Sequence, residues 1–574
     1  MPIKITLDFP DLNGRPSRRL FRSPQRIVST DRHSEITRCL TEVAADCDAG
    51  ATAIGFISYE AAPAFDAAFV THSAQSVPLL WFAVFEHEHV ATSSADAGLL
   101  VRKWDIEPAR AAHERAVARI REEIAAGRTY QVNYTGRMRA PIPGDPLEWY
   151  EGLRRAQGTG YHVCIETGDW CVLSLSPELF FETRGAHINT RPMKGTRARG
   201  RFLEEDHALV DDLRSSPKER AENLMIVDLM RNDLGRIAET GSVHVARLYD
   251  VERYPTVHQM TSTVEATLRN DVTLPDIMTA LFPPGSVTGA PKISTMELIA
   301  ELETSPRGVY CGAVGIVERG TSVFNVPIRT LWLDQRAGTA EYGTGGGITA
   351  DSRAEAEYDE LLTKARIISL PWPRFDLLET MRFESGEIAR LEKHLLRLEE
   401  SAEYFGFPFC EADIRAALTQ ALRDREEPAR LRLLVSEDGS ARAGVQPLDP
   451  LPAHPRVQLA HAAVDSSTPF LFHKTTARRM YEVMSEAAPT AFDVLLYNER
   501  DEITEFTRGN VIVELEGRRY TPPVTSGLLR GIFRGELLAN GEVEERVIMR
   551  KEIAHAARIW FVNSVREWVG VELV

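Results

Sequence analysis

Short apolar runs separated by turn residues dominate the first hundred positions and predict strands of an antiparallel layer. Two of these runs cover positions 53–59 and 79–85. From about 107 to 126 the apolar positions instead recur on one face among charges, which predicts an amphipathic helix ending at Gly127. Strand-like runs then return at 161–165, 171–175 and 179–182.

The middle of the chain continues this mixture of helix and sheet. Residues 217–234 have a strong helical pattern, and a β-rich stretch follows to about 267. A loop rich in turn residues covers 282–292, between a helix beginning near Pro275 and a helix over 293–302. The pattern ends with strands over 309–317 and 322–334, a glycine run at 345–347 and a helix over 353–368.

Pro371 and Pro373 interrupt this pattern, because proline can continue neither a helix nor a ladder of strand hydrogen bonds. We place a domain boundary there and predict domains at 1–370 and 374–574. The second domain begins with a strand, a turn at residues 385–386 and an amphipathic helix from Leu391 to about 405. More than one domain is also expected from the length of 574 residues, since single cores stop growing near ~250–300 residues.

Composition narrows the possible partners. The net charge of −16 argues against nucleic acid or an anionic membrane surface as a partner. No apolar run approaches the ~18 residues of a membrane span, and the N-terminus leads into no signal-like segment, so the cytoplasm is expected. Zinc and a disulfide framework are not indicated, because no CxxC pair occurs among the six cysteines, which are Cys39, Cys47, Cys164, Cys171, Cys311 and Cys410.

Lys194 lies in the stretch Arg-Pro-Met-Lys-Gly-Thr at 191–196. Pro192 stiffens the backbone before it, and Gly195 has no Cβ to obstruct a neighbouring group. A lysine held there becomes a nucleophile if burial or a nearby cation lowers its pKa enough to expose a lone pair. The alternative for an isolated lysine is a solvated side chain at a strand end.

Two predicted helices each carry glutamates spaced three apart, Glu219 with Glu222 and Glu357 with Glu360. This spacing places both members of a pair on one helical face. Facing pairs would form a carboxylate cage suited to Mg²⁺, which takes oxygen ligands. A salt-bridged solvent face is the alternative for either helix alone.

Five motifs in order make residues 100–370 resemble the chorismate-utilising enzymes. That family includes anthranilate, isochorismate and salicylate synthases and component I of aminodeoxychorismate synthase. The resemblance implies an α+β protein whose first domain is a large two-layer α/β sandwich. The motifs are Ser-Pro-Glu at 176–178, Pro-Met-Lys-Gly-Thr at 192–196, residues 221–233, the loop 282–292 and residues 345–350.

The resemblance also indicates which reaction the first domain performs. Members that add water at C2 of chorismate use a lysine where this chain has Gln131, which cannot act as a base. Anthranilate synthases carry alanine where this chain has Lys194, whereas aminodeoxychorismate synthases carry the lysine proposed to attack C2. Both positions point to 4-amino-4-deoxychorismate as the product.

Other roles follow from the same family. Glu178 resembles the general acid that protonates the departing C4 hydroxyl, and His258 matches a histidine near that hydroxyl. Glu222 and Glu360 resemble the Mg²⁺ ligands, with Glu219 and Glu357 in support. Substrate contacts are expected from Gln131, Tyr310, Arg329 and the backbone amides of Gly345, Gly346 and Gly347.

The sequence over about 376–568 resembles fold-type IV pyridoxal-phosphate enzymes, which include branched-chain aminotransferases and aminodeoxychorismate lyase. The motifs are Leu-Glu-Thr-Met-Arg at 378–382 and His-Leu-Leu-Arg-Leu at 394–398. Lys474 matches the lysine that bonds the cofactor aldehyde and removes the α-proton, and Glu505 matches the carboxylate at the pyridine nitrogen. The phosphate would be held by Arg397, Ser564 and the amides of Ile532 and Phe533. The alternatives are a buried, salt-bridged Glu505 and a surface Lys474.

Together the two resemblances imply a bifunctional enzyme that makes 4-amino-4-deoxychorismate and then eliminates pyruvate to give 4-aminobenzoate, the folate precursor. The family classes are aminodeoxychorismate synthase component I and aminodeoxychorismate lyase. Two alternatives are an anthranilate-type synthase joined to an unrelated D-amino-acid transaminase and a C-terminal part that serves only for dimerisation. Fold-type IV relatives build their site at a dimer interface, so a homodimer is expected.

The source of nitrogen is expected to be a second protein. A glutaminase needs a nucleophilic cysteine at a sharp strand-to-helix turn with a histidine partner. None of the six cysteines is predicted to lie at such a turn. Cys164 and Cys171 fall in strand patterns, and Cys39 and Cys47 lie in or near a predicted helix. Cys311 is at the start of a predicted strand, and Cys410 belongs to the second half. We therefore expect ammonia from a separate amidotransferase subunit.

Overall fold

The computed structural model describes residues 3–11, 16–74, 77–89, 103–142, 144–368, 372–423 and 425–574. Two compact units divide the chain. The first comprises Met1–Ala198 and Val210–Trp372, and the second comprises Arg199–Leu209 and Pro373–Val574. Leu370 and Pro371, at the boundary expected from the sequence, lie outside the described residues.

The first unit is a mixture of long sheets and helices. Its strands are β1 Lys4–Pro10, β2 Pro16–Arg22, β3 Arg26–Thr30, β4 Thr52–Ile57, β5 Leu80–Phe85, β6 Asp105–Glu107, β7 Gln131–Pro141, β8 Tyr161–Glu166, β9 Trp170–Ser176, β10 Leu179–Arg184, β11 His187–Arg191, β12 Met193–Ala198, β13 His244–Arg253, β14 Val257–Thr267, β15 Gly289–Ala290, β16 Ala313–Glu318, β17 Thr321–Asn325, β18 Thr330–Asp334 and β19 Thr339–Ile348. Its helices are α1 Ile36–Asp48, α2 Arg110–Ala125, α3 Pro146–Gln157, α4 Leu203–Ser215, which begins in the second unit, α5 Pro217–Gly235, α6 Leu274–Leu281, α7 Lys292–Leu302 and α8 Ala354–Ala365.

Two antiparallel sheets form the centre of this unit. One has the order β15-β7-β19-β18-β9-β8-β1-β2 with β6 beside β7, and the other has the order β12-β14-β11-β10-β17-β16-β4-β5-β3 with β13 beside β14. Strand β4 shows how they pack, because Ile54 and Phe56 join an apolar cluster with residues of β1, β8 and β9, while Ala53 and Ile57 join a cluster with α1. Alternate side chains therefore face the opposite sheet and the outer helices, as the two-residue period of a strand requires.

Several elements predicted from the sequence are confirmed, among them α2, α5, α7 and the strands β8, β9 and β10. The predicted strand over 322–334 is instead two strands, β17 and β18. Pro327 cannot donate to the ladder, and Arg329 has a φ of 52°, which turns the backbone out of the extended conformation. The expectation that Cys311 starts a strand was also wrong, since its φ is 65° and β16 begins at Ala313.

The second unit contains two further sheets. Its strands are β20 Leu377–Glu384, β21 Glu387–Ile388, β22 Ala429–Val435, β23 Ala441–Pro447, β24 Arg456–Leu459, β25 Asp493–Tyr497, β26 Ile503–Phe506, β27 Asn510–Leu515, β28 Arg518–Thr521, β29 Glu544–Glu545, β30 Arg558–Asn563 and β31 Glu567–Leu573, and its other helices are α9 Leu391–Phe405, α10 Glu411–Ala421, α11 Arg479–Glu486 and α12 Ile532–Ala539. The sheet orders are β21-β20-β22-β23 and β26-β25-β24-β31-β30-β27-β28-β29. The amphipathic helix predicted from Leu391 is confirmed, and none of the described helices has the length and apolar character needed to cross a membrane.

Candidate active sites

Lys194 lies on β12 with only 14% of its side chain exposed, and its Nζ is 3.8 Å from Glu222 Oε2. Burial lowers its pKa, and the charge of Lys364 acts in the same direction. The neighbouring Gly195 has a φ of 101°, and a Cβ there would lie 3.2 Å from Glu219 Oε2. The glycine therefore serves both purposes expected of it, a left-handed backbone and a close approach by another group.

Gln131 on β7 and Gly347 on β19 lie close to Lys194, although these two strands belong to the other sheet of the unit. A Cβ added at Gly347 would lie 2.1 Å from Lys194 Nζ and 3.1 Å from Gln131 Nε2, so a larger residue there would displace the end of the Lys194 side chain. Gln131 is fully buried, and neither amide atom has a hydrogen-bond partner in the described part of the chain. A buried amide without partners is costly, which indicates that a polar ligand group completes its hydrogen bonds.

Glu178 is buried between β9 and β10. Burial raises its pKa to about 7, against the opposing effects of a hydrogen bond from the Ser286 side chain, the Met193 amide and the charge of Lys194. A carboxyl group with this pKa holds its proton near neutrality and can deliver it to a leaving group, as a general acid must. Ser286 had no predicted role, and only the turn-rich composition of its loop marked it.

The two glutamate pairs lie on two different helices, and the pair Glu357 and Glu360 approaches Gly346. Glu219 and Glu222 are on α5, and Glu357 and Glu360 are on α8. A Cβ at Gly346 would lie 3.5 Å from Glu357 Oε2 and 3.9 Å from Glu360 Oε1. The charge of Glu360 also contributes to the raised pKa of Glu222, although burial is the larger cause. Carboxylates from the two helices therefore share one region.

Basic side chains hold these carboxylates. Glu360 pairs with Lys364 at 2.7 Å, and Glu222 lies 3.8 Å from Lys218 as well as from Lys194. In the part of the chain that the structure describes, no three His, Cys, Asp or Glu side chains are grouped closely enough to hold a metal ion. The donor set is still chemically suited to Mg²⁺, since both expected ligands, Glu222 and Glu360, are carboxylates.

Arg329 is a partly buried cation without a carboxylate partner among the described residues. Its guanidinium donates to Gln157 Oε1, and burial lowers its pKa. A buried guanidinium that lacks an acidic partner is suited to an anionic ligand, such as a substrate carboxylate. The Tyr310 ring packs on Gly343 and lies 5.3 Å from the Arg137 guanidinium, and its contact with the substrate stays a prediction.

Three predicted substrate-site residues occupy defined strand positions. Gly345 and Gly346 are on β19, opposite Thr135 and Tyr134 of β7, and Gly345 O accepts a hydrogen bond from Lys364 Nζ at 3.0 Å. His258 is buried on β14, in register with Arg197 of β12. Its contribution to the site stays a prediction.

The second unit contains a cavity of about 590 Å³. Its lining includes most of the residues predicted for the cofactor, namely Arg397, Lys474, Glu505, Ile532 and Ser564. The Phe533 ring packs under the Arg390 guanidinium at 4.9 Å, and the contact of its backbone amide with the phosphate stays a prediction. The motif residues of the second half are thus brought to one concave site.

Lys474 is buried in this cavity beside β20, where its carbonyl accepts a hydrogen bond from Leu378 N at 2.9 Å. Burial lowers its pKa to about 7, and the nearby cations Arg478 and Arg397 act in the same direction. The amine is therefore partly neutral at physiological pH. A neutral amine is the form that bonds an aldehyde.

Glu505 is a buried carboxylate that three groups orient. Tyr481 Oη donates to Oε1 at 2.8 Å, while Asn510 Nδ2 and the Leu529 amide donate to Oε2 at 3.3 and 3.2 Å. Burial nevertheless raises its pKa to about 7. A positively charged pyridine nitrogen would compensate this carboxylate. Tyr481 had no predicted role.

Helix α12 presents its N-terminus to the cavity. Its N-cap residue is Gly531, which supplies no side-chain cap, so the first amides of the helix are available to an anion such as phosphate. Arg397 lies nearby and is fixed in orientation, since it donates to both carboxylate oxygens of Glu379 at 2.8 and 2.6 Å and to Arg530 O at 3.0 Å. Burial alone would raise the pKa of Glu379, but the charges and hydrogen bonds of Arg397 and His394 hold it at about 2.

Substituting Gly531 with alanine is expected to weaken phosphate binding at this helix. The added Cβ would lie 1.8 Å from Asn510 Oδ1, so the strand end carrying Asn510 or the start of α12 must move. We expect the Kd for pyridoxal phosphate, measured by equilibrium dialysis, to rise about tenfold or more. Gly535→Ala is the matched control, since a Cβ there meets nothing within 4 Å. Equal Kd values for both variants would contradict the placement of the phosphate.

Each unit thus contains one largely buried group of charged side chains. Residues 92–369 match the family model described as chorismate binding enzyme, and residues 376–574 match the model described as amino-transferase class IV. The chain therefore joins a chorismate binding enzyme region to an amino-transferase class IV region.

Relatives of known identity resemble the first region. Aminodeoxychorismate synthase component 1 of Salmonella typhimurium is 40% identical over 273 residues, covering 47% of this chain and 60% of the relative. The same protein of Klebsiella aerogenes is 42% identical over 270 residues, covering 47% and 59%. This chain thus spans about three fifths of the length of these relatives.

A solved structure supports the fold of the first unit. The crystal structure of anthranilate synthase component I from Streptococcus pneumoniae TIGR4 superimposes with a TM-score of 0.51 and 28% identity, covering 64% of this chain and 92% of that one. The expected α+β arrangement is confirmed.

Proposed function

We propose that this chain is a bifunctional cytoplasmic enzyme of 4-aminobenzoate synthesis, with the activities of aminodeoxychorismate synthase component I and aminodeoxychorismate lyase. The first site would aminate chorismate at C4, and the second would eliminate pyruvate from the product. The observation that carries the proposal is Lys194, whose Nζ faces Gly347 and Gln131 in a site that also contains Glu178, whose pKa burial raises to about 7. The alternative of an anthranilate-type synthase is not favoured, because such enzymes carry alanine at this position.

In the first reaction the Lys194 amine attacks C2 of chorismate and forms a C–N bond. Both ring double bonds shift, and the C4–O bond breaks as Glu178 donates its proton to the departing hydroxyl, which leaves as water. Ammonia then forms a bond to C4, both double bonds return to their original positions, and the C2–N bond to Lys194 breaks. The net change is the exchange of hydroxyl for amine with release of water. Arg329 would bind a substrate carboxylate, and Mg²⁺ held by Glu222 and Glu360 would neutralise another.

In the second reaction the residues of the cavity bind the cofactor and move one proton. Pyridoxal phosphate would supply an aldehyde that condenses with the substrate amine and a ring that accepts electrons. Lys474 removes the proton from the carbon that bears the amine, and the same proton is available to the departing enol of pyruvate. Glu505 keeps the pyridine nitrogen protonated, while Arg397, Ser564 and the α12 amides hold the phosphate. Loss of pyruvate leaves an aromatic ring.

The metal assignment predicts that Glu222→Gln and Glu360→Gln each raise the Mg²⁺ concentration needed for half-maximal chorismate consumption. An amide oxygen neutralises none of the charge of the ion, so an increase of roughly tenfold is expected for each. Glu239→Gln, a substitution outside both glutamate pairs, is the control. Wild-type Mg²⁺ titration curves for both variants would show that the ion binds elsewhere.

The nitrogen source gives the experiment that tests the function as a whole. Five of the six cysteines are buried, and burial raises the pKa of Cys39, Cys47, Cys164, Cys171 and Cys311, so these thiols are poor nucleophiles. We infer that a separate amidotransferase supplies ammonia. Both relatives named above are called component 1, a name that fits an enzyme with a second component.

Purified protein with chorismate, Mg²⁺ and pyridoxal phosphate is supplied with glutamine alone, with ammonium at raised pH, or with glutamine and a glutaminase. The product is identified by chromatography. We expect 4-aminobenzoate with ammonium and with the glutaminase, and no turnover with glutamine alone. Anthranilate as the product would overturn the proposed function, and turnover with glutamine alone would overturn the separate partner. The homodimer expected from the fold-type IV resemblance stays a prediction.

A further inference from the structure

Residues 199–209, which we term the inserted segment, belong to the second compact unit although the sequence on either side belongs to the first. The segment lies within the range that matches the chorismate binding enzymes. It is closed by a buried ion pair, since Arg199 donates to both carboxylate oxygens of Asp206 at 2.7 and 2.9 Å. The Gly200 amide donates to the same carboxylate at 2.8 Å. The segment is thus a preformed loop and not an extended linker.

This loop is fastened to Tyr404 on α9. Tyr404 Oη donates to Gly200 O at 2.7 Å, and Arg199 Nη2 donates to Tyr404 O at 2.8 Å. The Arg199 guanidinium carbon also lies 4.2 Å from the centre of the tyrosine ring. Two hydrogen bonds and a cation–π contact fix the orientation of the ring.

From Tyr404 the contacts continue to the residue before the proposed cofactor lysine. The Tyr404 ring stacks on His473 with centroids 4.2 Å apart, and Ser401 Oγ is 3.0 Å from His473 Nδ1. Phe202 of the inserted segment lies 5.6 Å, centre to centre, from Phe472. The two residues that precede Lys474 are therefore held by the inserted segment, one directly and one through Tyr404.

A second set of contacts reaches the proposed phosphate ligand. Glu204 forms an ion pair with Arg530, whose guanidinium carbon lies 4.5 Å from the Phe202 ring centre. The backbone carbonyl of Arg530 accepts a hydrogen bond from Arg397 Nη1 at 3.0 Å. The inserted segment thus contacts the supports of both Lys474 and Arg397.

We propose that the inserted segment is a positioning element of the cofactor site, acting on Lys474 through Tyr404 and His473 and on Arg397 through Arg530. This inference rests on the proposed function of the second site. It means that a stretch of the chorismate binding enzyme region is needed to complete the pyridoxal-phosphate site, and that the 374–574 region would bind the cofactor weakly without it.

The test uses the full-length chain with Arg199→Ala and Tyr404→Phe. The Kd for pyridoxal phosphate is measured by equilibrium dialysis, and the cofactor fixed to Lys474 by borohydride is counted by peptide mapping. We expect the Kd to rise roughly tenfold for Arg199→Ala and about threefold for Tyr404→Phe, which loses a single hydroxyl. Arg199→Lys, which keeps the charge, should recover part of the loss. Arg214→Ala, an exposed arginine on the same helix α4, is the control.

The outcomes separate this inference from the function on which it rests. Absence of label on Lys474 in the wild-type protein overturns the function proposed for the second site. Labelled wild-type protein together with folded variants of unchanged Kd overturns the positioning role. If circular dichroism shows that Arg199→Ala does not fold, the isosteric Tyr404→Phe decides alone. An equal rise in Kd for Arg214→Ala would also overturn the positioning role, since that residue contacts neither Tyr404 nor Arg530.

Discussion

Lys194→Ala is expected to abolish the amination of chorismate, lowering the rate by about 10³-fold or more, while the protein remains folded. Burial lowers the pKa of this lysine, so a larger share of the amine is neutral at a given pH and able to attack carbon. Its nearest carboxylate, on Glu222, is 3.8 Å away, which is too long for a strong hydrogen bond, so its loss costs the fold little. The measurement is chorismate consumption with ammonium, followed by thermal unfolding of the same preparation.

Lys218→Ala is the matched control for this substitution. Lys218 also lies 3.8 Å from Glu222, but 54% of its side chain is exposed. A charge effect on Glu222 alone would appear in both variants, whereas loss of a nucleophile appears only at Lys194. A shift of Lys194→Ala toward anthranilate would fit the alanine of the anthranilate synthases. An unchanged product formed at the wild-type rate would remove Lys194 from the mechanism.

The sequence was sufficient to find the residues around Lys194 because they occur in short motifs with unusual local geometry. Gly195 and Gly347 are examples, since a Cβ at either position would meet a side chain of the site. Gln131 was identified by its difference from the lysine of the water-adding relatives. Such positions are readable because one residue type alone fits each of them.

Residues that support the site were not predictable in the same way. Ser286 reaches Glu178, Tyr481 reaches Glu505, and Glu379 holds Arg397, each across a fold-dependent contact. Serine, tyrosine and glutamate occur in many other places for other reasons, so residue type alone did not mark them. Their partners become visible only when distant parts of the chain are brought together.

The path of the backbone was a second feature that the sequence did not predict in full. The interruption by proline predicts a boundary near residue 370, but no such signal marks the inserted segment at 199–209, which has the ordinary composition of a loop and the start of a helix. Its membership in the second unit depends on Tyr404 and on Asp206, which folds back on Arg199. Periodicity reports which face of an element is apolar, and it does not report which core that face joins.

Lys474→Ala is expected to abolish pyruvate elimination and covalent attachment of pyridoxal phosphate, lowering lyase turnover by about 10³-fold or more. The protein should still consume chorismate and accumulate 4-amino-4-deoxychorismate, because the first site contains its own lysine and acid. Borohydride reduction followed by peptide mapping measures attachment, and chromatography measures the accumulated intermediate. Lys393→Ala, an exposed lysine of the same unit paired with Glu536, is the control and should be labelled at Lys474 as in the wild type.

The pH dependence of this attachment follows from the pKa of about 7 that burial and two arginines give to Lys474. Only the neutral amine attacks an aldehyde, so the rate of attachment should rise as the pH increases through about 7 and then level off. A solvated lysine, with its ordinary pKa near 10.4, would still be gaining reactivity well above pH 9. A rate that continues to climb in that range would place Lys474 in solvent and count against the cavity as the cofactor site. The second reaction would be assigned to this cavity by two results together. The rate of attachment would level off near neutral pH, and Lys474→Ala would accumulate the intermediate.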